Sequence, residues 1–228
     1  MKNYDEVIQY FLLEYDNLRE QLMKPVLIGD FVYASDGHTA IKIPKDKLSN
    51  TYEPNPTYPD IVSLFEKREG IFEKPKIYKP TTIEKLLSEI PEVYISVECQ
   101  KCEGTGIIPP AIEKKDEDAW DDCDQCHAQG DLFLKEKEYD WMNHRIQINI
   151  SETENAYFNP NFIERLSIVC DINNVERIEH TVGTHLTANH FMIDGIEIMI
   201  MPIRIEAIES DVENSKESTF HKLEEETA

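Results

Sequence analysis

The chain has 228 residues, 40% of them hydrophobic and 30% charged, which is enough for one ordinary domain with an insert or for two small domains. Its 45 acidic and 23 basic residues leave a net charge of −22. That balance argues against a protein that coats nucleic acid by neutralising phosphates, though not against a local basic surface. No apolar run approaches a membrane span and the charged opening MKNYDEVIQYF is not a signal peptide, so a soluble protein of the reducing cytoplasm is expected.

Tyr4, Val7, Ile8, Phe11, Tyr15, Leu18 and Leu22 recur at helical spacing, with Asp5 and Glu6 in the first turn. They predict one amphipathic helix over 4–22, stopped by Pro25, whose other face sets Glu14, Asp16 and Glu20 against Arg19. PVLI, FVYAS and HTAIKI then predict a three-stranded meander. Its joints, Gly29-Asp30 and Asp36-Gly37, both suit two-residue hairpin turns. Asp36 and His38 could suggest a catalytic pair, but Asp-Gly is turn chemistry and a histidine opening a strand is read as structural. Residues 44–59, rich in proline and asparagine, read as a surface loop. Asp60 can cap a short helix bearing Ile61, Leu64 and Phe65, with Gly70 as its stop. Thr81 and Glu84 form a capping box for TTIEKLLSEI, whose Ile83, Leu86, Leu87 and Ile90 share one face.

VYISVE reads as a strand that leads into CQKCEGTG, and CDQCHAQG follows after a polar span. The two Cys-x-x-Cys pairs are separated by 20 residues and each is followed by glycine. Cys99, Cys102, Cys123 and Cys126 at this spacing suit one tetrahedral zinc. Gly104, Gly106 and Gly130 allow the positive φ with which the backbone can turn its N–H groups toward sulfur. Two disulfides and a redox Cys-x-x-Cys are the competing readings, in a chain without secretory context. Zinc held by four thiolates has no open position and serves structure rather than catalysis. IIPPAIEKKDEDAWDD is a solvated acidic loop and DLFLKEKEY a further strand, so residues 93–138 form a metal-pinned ribbon between parts 1–92 and 139–205. The fifth cysteine, Cys170, reads as a small buried hydrophobe.

RIQINI at 145–150 alternates as a half-buried strand. Asn159-Pro160 opens a helix with Phe162, Ile163, Leu166 and Val169 as its buried stripe. VERIEHTV, THLTANHF and GIEIMIMPIRI predict a second meander, turning near Gly183 and at Asp194-Gly195. His180, His185 and His190 on it are read as scattered strand histidines rather than as a metal site. The acidic tail, 206–228, is expected to be disordered. A helix followed by three antiparallel strands thus occurs at 4–43 and again at about 160–205, a duplication of supersecondary structure within an α+β fold.

FNPNFIERLSIV, NVERIEHTVGTHLTANHF and IEIMIMPIRI together resemble the closing half-domain of the bacterial β sliding clamp, which ends in an MPMRL-like segment. YASDGHTAI at 33–41 is similar to that family's ATDGHRLA, and TYPDI at 57–61 to its FPD segment. The likeness covers roughly 140 residues in two blocks. It implies a DNA-clamp-like antiparallel sheet backed by two main helices, with the zinc ribbon as an inserted subdomain. The cysteine segment separately resembles the CxxCxGxG repeats of J-domain co-chaperones. Cys99, Cys102, Gly104 and Gly106 match fully, whereas His127 stands for the first glycine of the second repeat. With two repeats and no J domain, what that resemblance implies is ribbon geometry and not co-chaperone activity.

Clamps work without chemistry: inner helices face DNA, an outer sheet carries subunit contacts, and a cleft near the C-terminus receives partner peptides. The resemblance therefore implies Arg19, Lys24 and Arg165 as DNA-facing cations and Met201, Pro202, Ile203 and Arg204 as the partner cleft. The chain departs from the family in offering about one such domain, few inner-face cations, and 23 residues beyond MPIRI. The reading is a non-catalytic, zinc-binding accessory protein of DNA replication or repair that binds partner proteins, with DNA contact weakened by charge and with homo-oligomers allowed. The alternative is a zinc-dependent adaptor or inhibitor without a DNA role. An enzyme built on His144 or on Asp36 and His38 lacks a basic substrate groove.

Overall fold

A computed structural model describes residues 3–13, 19–66, 71–99, 101–103, 105–108, 121–123, 129–204 and 219–225. The chain divides into two compact units, Met1–Ile90 with Trp141–Ala228, and Pro91–Asp140.

Asn3 starts α1 (Tyr4–Val7), its side chain accepting the Glu6 N–H at 3.0 Å. A 3-10 turn, Ile8–Phe11, continues it and buries Ile8 and Phe11 beside Val7. The single helix expected over 4–22 is not formed. Leu12 swings to extended backbone and the Leu13 N–H donates to the Leu22 carbonyl at 3.2 Å, so a non-helical hydrogen bond takes a donor that the helix needed. Tyr15 and Leu18 of the expected stripe lie outside the described residues, and a second 3-10 turn covers Glu20–Met23.

The first meander is β1 (Val26–Ile28), β2 (Phe31–Ser35) and β3 (Thr39–Pro44). Gly29, at φ 61°, turns β1 into β2 in two residues, with Ile28 opposite Phe31. The second joint turns on Gly37 and His38 rather than on Asp36-Gly37: Ser35 pairs with Ala40, the Asp36 N–H donates to the Thr39 carbonyl at 3.2 Å, and the Asp36 carboxylate accepts the His38 and Thr39 N–H groups at 2.8 and 2.7 Å. Asp60 accepts the Ser63 N–H at the start of α2 (Ile61–Glu66). β4 (Ile71–Tyr78) was not anticipated, and it contains Pro75. It is tolerated because β4 ends the sheet, where a missing donor costs no ladder bond. α3 (Pro80–Ser88) begins at Pro80 with Lys79 as cap, so the expected Thr81–Glu84 capping box does not form.

In the unit Pro91–Asp140, β5 (Glu92–Glu98), β6 (Ile107–Ile108), β7 (Asp121–Asp122) and β8 (Asp131–Tyr139) make two antiparallel ladders. β5 pairs with β8 from Glu92–Tyr139 to Glu98–Asp131, and β6 pairs with β7. The Asp140 N–H donates to the Pro91 carbonyl at 2.8 Å, closing the ribbon at its base.

The larger unit resumes with β9 (His144–Asn149) and β10 (Asn155–Phe158), an antiparallel hairpin. Asn159 caps α4 (Pro160–Asn173), which ends on Asn174 in the left-handed conformation, φ 51°. The second meander is β11 (Ile178–Val182), β12 (Asn189–Ile193) and β13 (Ile196–Ile200), with Asp194 and Gly195 at positive φ between the last two. Both meanders join in one seven-stranded antiparallel sheet, β1-β2-β3-β13-β12-β11-β4. Its seam is β3 against β13, from Lys42 opposite Glu197 to Thr39 opposite Ile200. α4 packs on α1, α3 and the strands β12 and β13, burying Ile163, Leu166 and Val169. The tail is not wholly irregular, as had been expected. Thr219–Leu223 forms β14, which adds parallel to β9 and completes a small sheet, β10-β9-β14. The open edge of β9 offers that segment backbone partners and a seat for Leu223, neither of which local sequence reveals.

Candidate functional site

Cys99, Cys102 and Cys123 are buried, and their sulfurs lie within 4.8 Å of one another. The fourth expected ligand, Cys126, lies outside the described residues, as do Gly104 and His127. Backbone bonds set the knuckles. The Cys99 N–H donates to the Gly130 carbonyl at 2.7 Å and the Cys123 N–H to the Gly106 carbonyl at 2.8 Å. The Gly106 N–H points at the Cys102 sulfur, 3.3 Å away. Gly106 and Gly130 reach these positions at φ 78° and 82°, which side chains rarely adopt. Cys99 and Cys123 sulfurs are 3.8 Å apart and none of the three is in a disulfide. A disulfide needs about 2.05 Å, whereas thiolates at about 2.3 Å from one tetrahedral ion stand about 3.8 Å apart. The three described donors therefore fit a metal ion.

The larger unit carries a cleft of about 480 Å³ that is mostly apolar. Ser35 lines it from the end of β2 and Gly37 from the β2–β3 loop, Tyr58, Pro59 and Ile61 from the entry and first residue of α2, and Met199 and Met201 from β13 and the residue beyond it. Leu64 and Leu186, 43% and 47% exposed, put apolar side chains in water beside it. Burial pushes the Tyr58 phenol up to about 12, so it stays neutral. The loop that brings Leu186, Thr187 and Ala188 is built on the buried amide of Asn189. Its nitrogen donates to the Thr184 and Thr187 carbonyls, both at 3.0 Å, and its oxygen accepts from His180 Nε2 at 2.8 Å. Gly183 packs so closely on this amide that an added Cβ would come within 1.9 Å of it.

Of the four residues expected to form the cleft, Met201 lines it. Its N–H donates to the His38 carbonyl at 2.9 Å, which holds it beside the β2–β3 loop. Pro202 is buried, the Ile203 N–H bonds the Tyr157 carbonyl at 2.7 Å, and Arg204 is exposed. The backbone thus leaves the cleft for the edge of β10 directly after Met201. Leu22, Leu64, Leu186 and Met199 were missed, since in sequence they are ordinary apolar residues until the fold gathers them.

The three expected DNA-facing cations do not share one helix face. Arg165 on α4 pairs with Asp36 at 2.5 Å, also bonds Thr39, and lies over the rings of Phe11 and Phe162, so it is spent inside the fold. Arg19 is exposed and its guanidinium covers Gly37, at the cleft. Lys24 is exposed ahead of β1. Asp36 accepts from two amides and Arg165, which leaves His38 to stack on Phe162 and gives no acid–base pair. The histidines also take separate partners: His180 bonds Asn189, His190 donates to Glu197 at 3.0 Å, and His185, on a loop rather than a strand, bonds Glu154. Cys170 is enclosed in α4, where burial, with Asp171 and Glu84 nearby, pushes its thiol up to about 12.

No family model matches the chain, and no curated protein matches it in sequence. Among solved structures, the chain is similar to the DNA polymerase III subunit beta from Pseudomonas aeruginosa, at 11% identity and a TM-score of 0.45, covering 86% of this chain and 61% of that one. It is similar to the DNA polymerase III beta subunit from Thermotoga maritima at 14% identity and TM-score 0.43, covering 88% and 63%. For pol III beta of Caulobacter crescentus the values are 12% and 0.44, covering 89% and 65%. The chain thus spans between 61% and 65% of the length of these three.

Proposed function

We propose that the chain is a sliding-clamp-like, non-catalytic accessory protein of DNA replication or repair, which takes apolar segments of partner proteins into the cleft and is stapled in its insert by one zinc ion. The observation that carries this reading is a convergence. Three motifs resembling the clamp family, YASDGHTAI, TYPDI and MPIRI, lie far apart in sequence, yet Ser35, Gly37, Tyr58, Pro59, Ile61 and Met201 from them line one cleft. An apolar floor of this volume with exposed leucines beside it suits an extended peptide carrying aliphatic or aromatic side chains. Cys126 would complete the zinc site with Cys99, Cys102 and Cys123, holding both knuckles and leaving no position for substrate. DNA contact is the lesser part, because the net charge is −22 and Arg165 is committed to Asp36.

The test is selection of peptides from a random display library on the intact chain, followed by binding to Met201→Asp and Cys102→Ser chains. Peptides rich in apolar residues should bind the intact and Cys102→Ser chains alike, and Met201→Asp at least tenfold more weakly. Binding lost with Cys102→Ser and kept with Met201→Asp would overturn the cleft and favour the adaptor reading. Anisotropy of labelled duplex DNA at low and high salt tests the DNA part, and metal analysis with light scattering gives zinc and subunit number together.

A further inference from the structure

β14 is the one parallel addition among the described strands, running from Thr219 opposite His144 to Leu223 opposite Ile148. Fourteen residues of sequence, 205–218, separate it from Arg204, the last described residue before it. Its side chains sit shallowly: Leu223 is 2% exposed and plugs in, whereas Phe220 stays 47% exposed with its ring 4.9 Å from that of Tyr157, and Thr219 and Lys222 face water. His221 Nε2 meets His144 Nδ1 at 3.0 Å, and Glu225 takes an ion pair from Lys76, whose Nζ also donates to the Asn149 carbonyl. β9 does not share this shallow seating: Ile146 and Ile148 are fully buried, and β10 pairs with its other side. The edge beneath β14 is therefore built into the fold, whereas the strand on it is held by backbone bonds, one buried leucine and contacts at the surface.

We propose that the outer edge of β9 is a strand-acceptor site and β14 its detachable resident, and that the released edge takes residues 219–223 of a second copy of this chain in the same parallel register. An edge of this kind bonds the backbone of any extended segment, and alternate side chains decide which segment fits. The inward positions here ask for a ring against His144 and an aliphatic group beside Ile148, which His221 and Leu223 of another copy supply identically. A connection of 14 residues reaches up to about 46–50 Å when extended, enough to bridge two small domains. Within one chain the resident strand competes at an effective concentration on the order of millimolar, so exchange follows release.

A fluorescent peptide covering residues 217–227 stands in for the second copy's tail and is titrated against the full chain and its Leu223→Asp variant. The variant, with its own strand released, should bind with a midpoint of about 10–100 μM, and the unmodified chain at least tenfold more weakly. A peptide carrying Leu223→Asp should bind neither. Equal binding to both chains, or none to the variant, overturns the proposal. Hydrogen exchange of the unmodified chain gives an independent reading in case the substitution disturbs the fold. Amides of β14 should exchange at least tenfold faster than those of β12 and β13, and exchange of all three together would show that the strand does not detach.

Discussion

Ile41 and Ile198 face each other across the seam of the large sheet, both fully buried, whereas the buried apolar side chains among the described residues of Pro91–Asp140 are three cysteines. The larger unit is held by apolar surface removed from water, at roughly 25 cal/mol per Å². Among the described residues of the ribbon the buried apolar groups are those three thiols, which lie close enough to share one metal ion. The difference teaches that, with an ion bound to the thiols as proposed, one chain would set two stabilities independently, one by burial and one by metal supply.

The largest effect should come from breaking the ribbon's side of that contrast. Cys99→Ser, or a strong chelator, removes a term on the order of 10 kcal/mol for a structural zinc. Proteases should then cut within 91–140 at least tenfold faster, metal analysis should find no zinc, and the melting of the sheet unit should hardly move. A shared collapse of both units would erase the distinction. Ile198→Ala strikes the other side: urea unfolding should show about 2–5 kcal/mol lost from the sheet unit, with zinc content unchanged. Gly183→Ala sharpens the picture inside the larger unit, because its Cβ would displace the Asn189 amide that builds the cleft loop. The cost should be about 1–3 kcal/mol, and peptides selected on the cleft should bind several-fold more weakly.

The smallest effect is that of pH on β14. Burial, and then the charge of His144, hold His221 below its ordinary value, against the pull of Glu89. The charged groups about it are His144 on β9, Glu89 after α3, and the Lys76–Glu225 pair joining β4 to the tail. A docked His221 thus binds a proton less readily than a free one. Docking is complete above about 6.5 and is lost as pH falls from there toward the lowered value. The peptide titration repeated at pH 7.5 and 5.5 should give weaker binding at the acid end. Tighter binding at pH 5.5 would reverse the sign and contradict the environment of His221.

What could be read from sequence was local. Asn159-Pro160 marked the start of α4, Gly29-Asp30 and Asp194-Gly195 marked two tight turns, and the cysteine spacing picked out three thiols that the fold brings together. The misses were decided by distant partners. The apolar rhythm of 4–22 suggested one helix, but the chain turns back inside that segment and the Leu22 carbonyl takes the Leu13 N–H. Residues 71–78 drew no expectation, since whether a proline-bearing stretch lies at a sheet edge is not written in its own residues. TFHKL, short and set among acidic residues, gave no sign of β14 until β9 offered it an edge. Met201, Pro202, Ile203 and Arg204 were named from the family resemblance, and of these Met201 lines the apolar cleft, because a short motif does not tell which side of a crossing segment faces a hollow.

The hydrogen bond from the Asp140 amide to the Pro91 carbonyl has a consequence for how such a chain could arise. Fifty residues depart and return at almost the same point, so a hairpin bend of a few residues would span the gap that their removal leaves. Seen this way, the cysteine ribbon is a cassette. A lineage could gain, lose or trade it by one recombination event without redrawing a single ladder of the seven-stranded sheet.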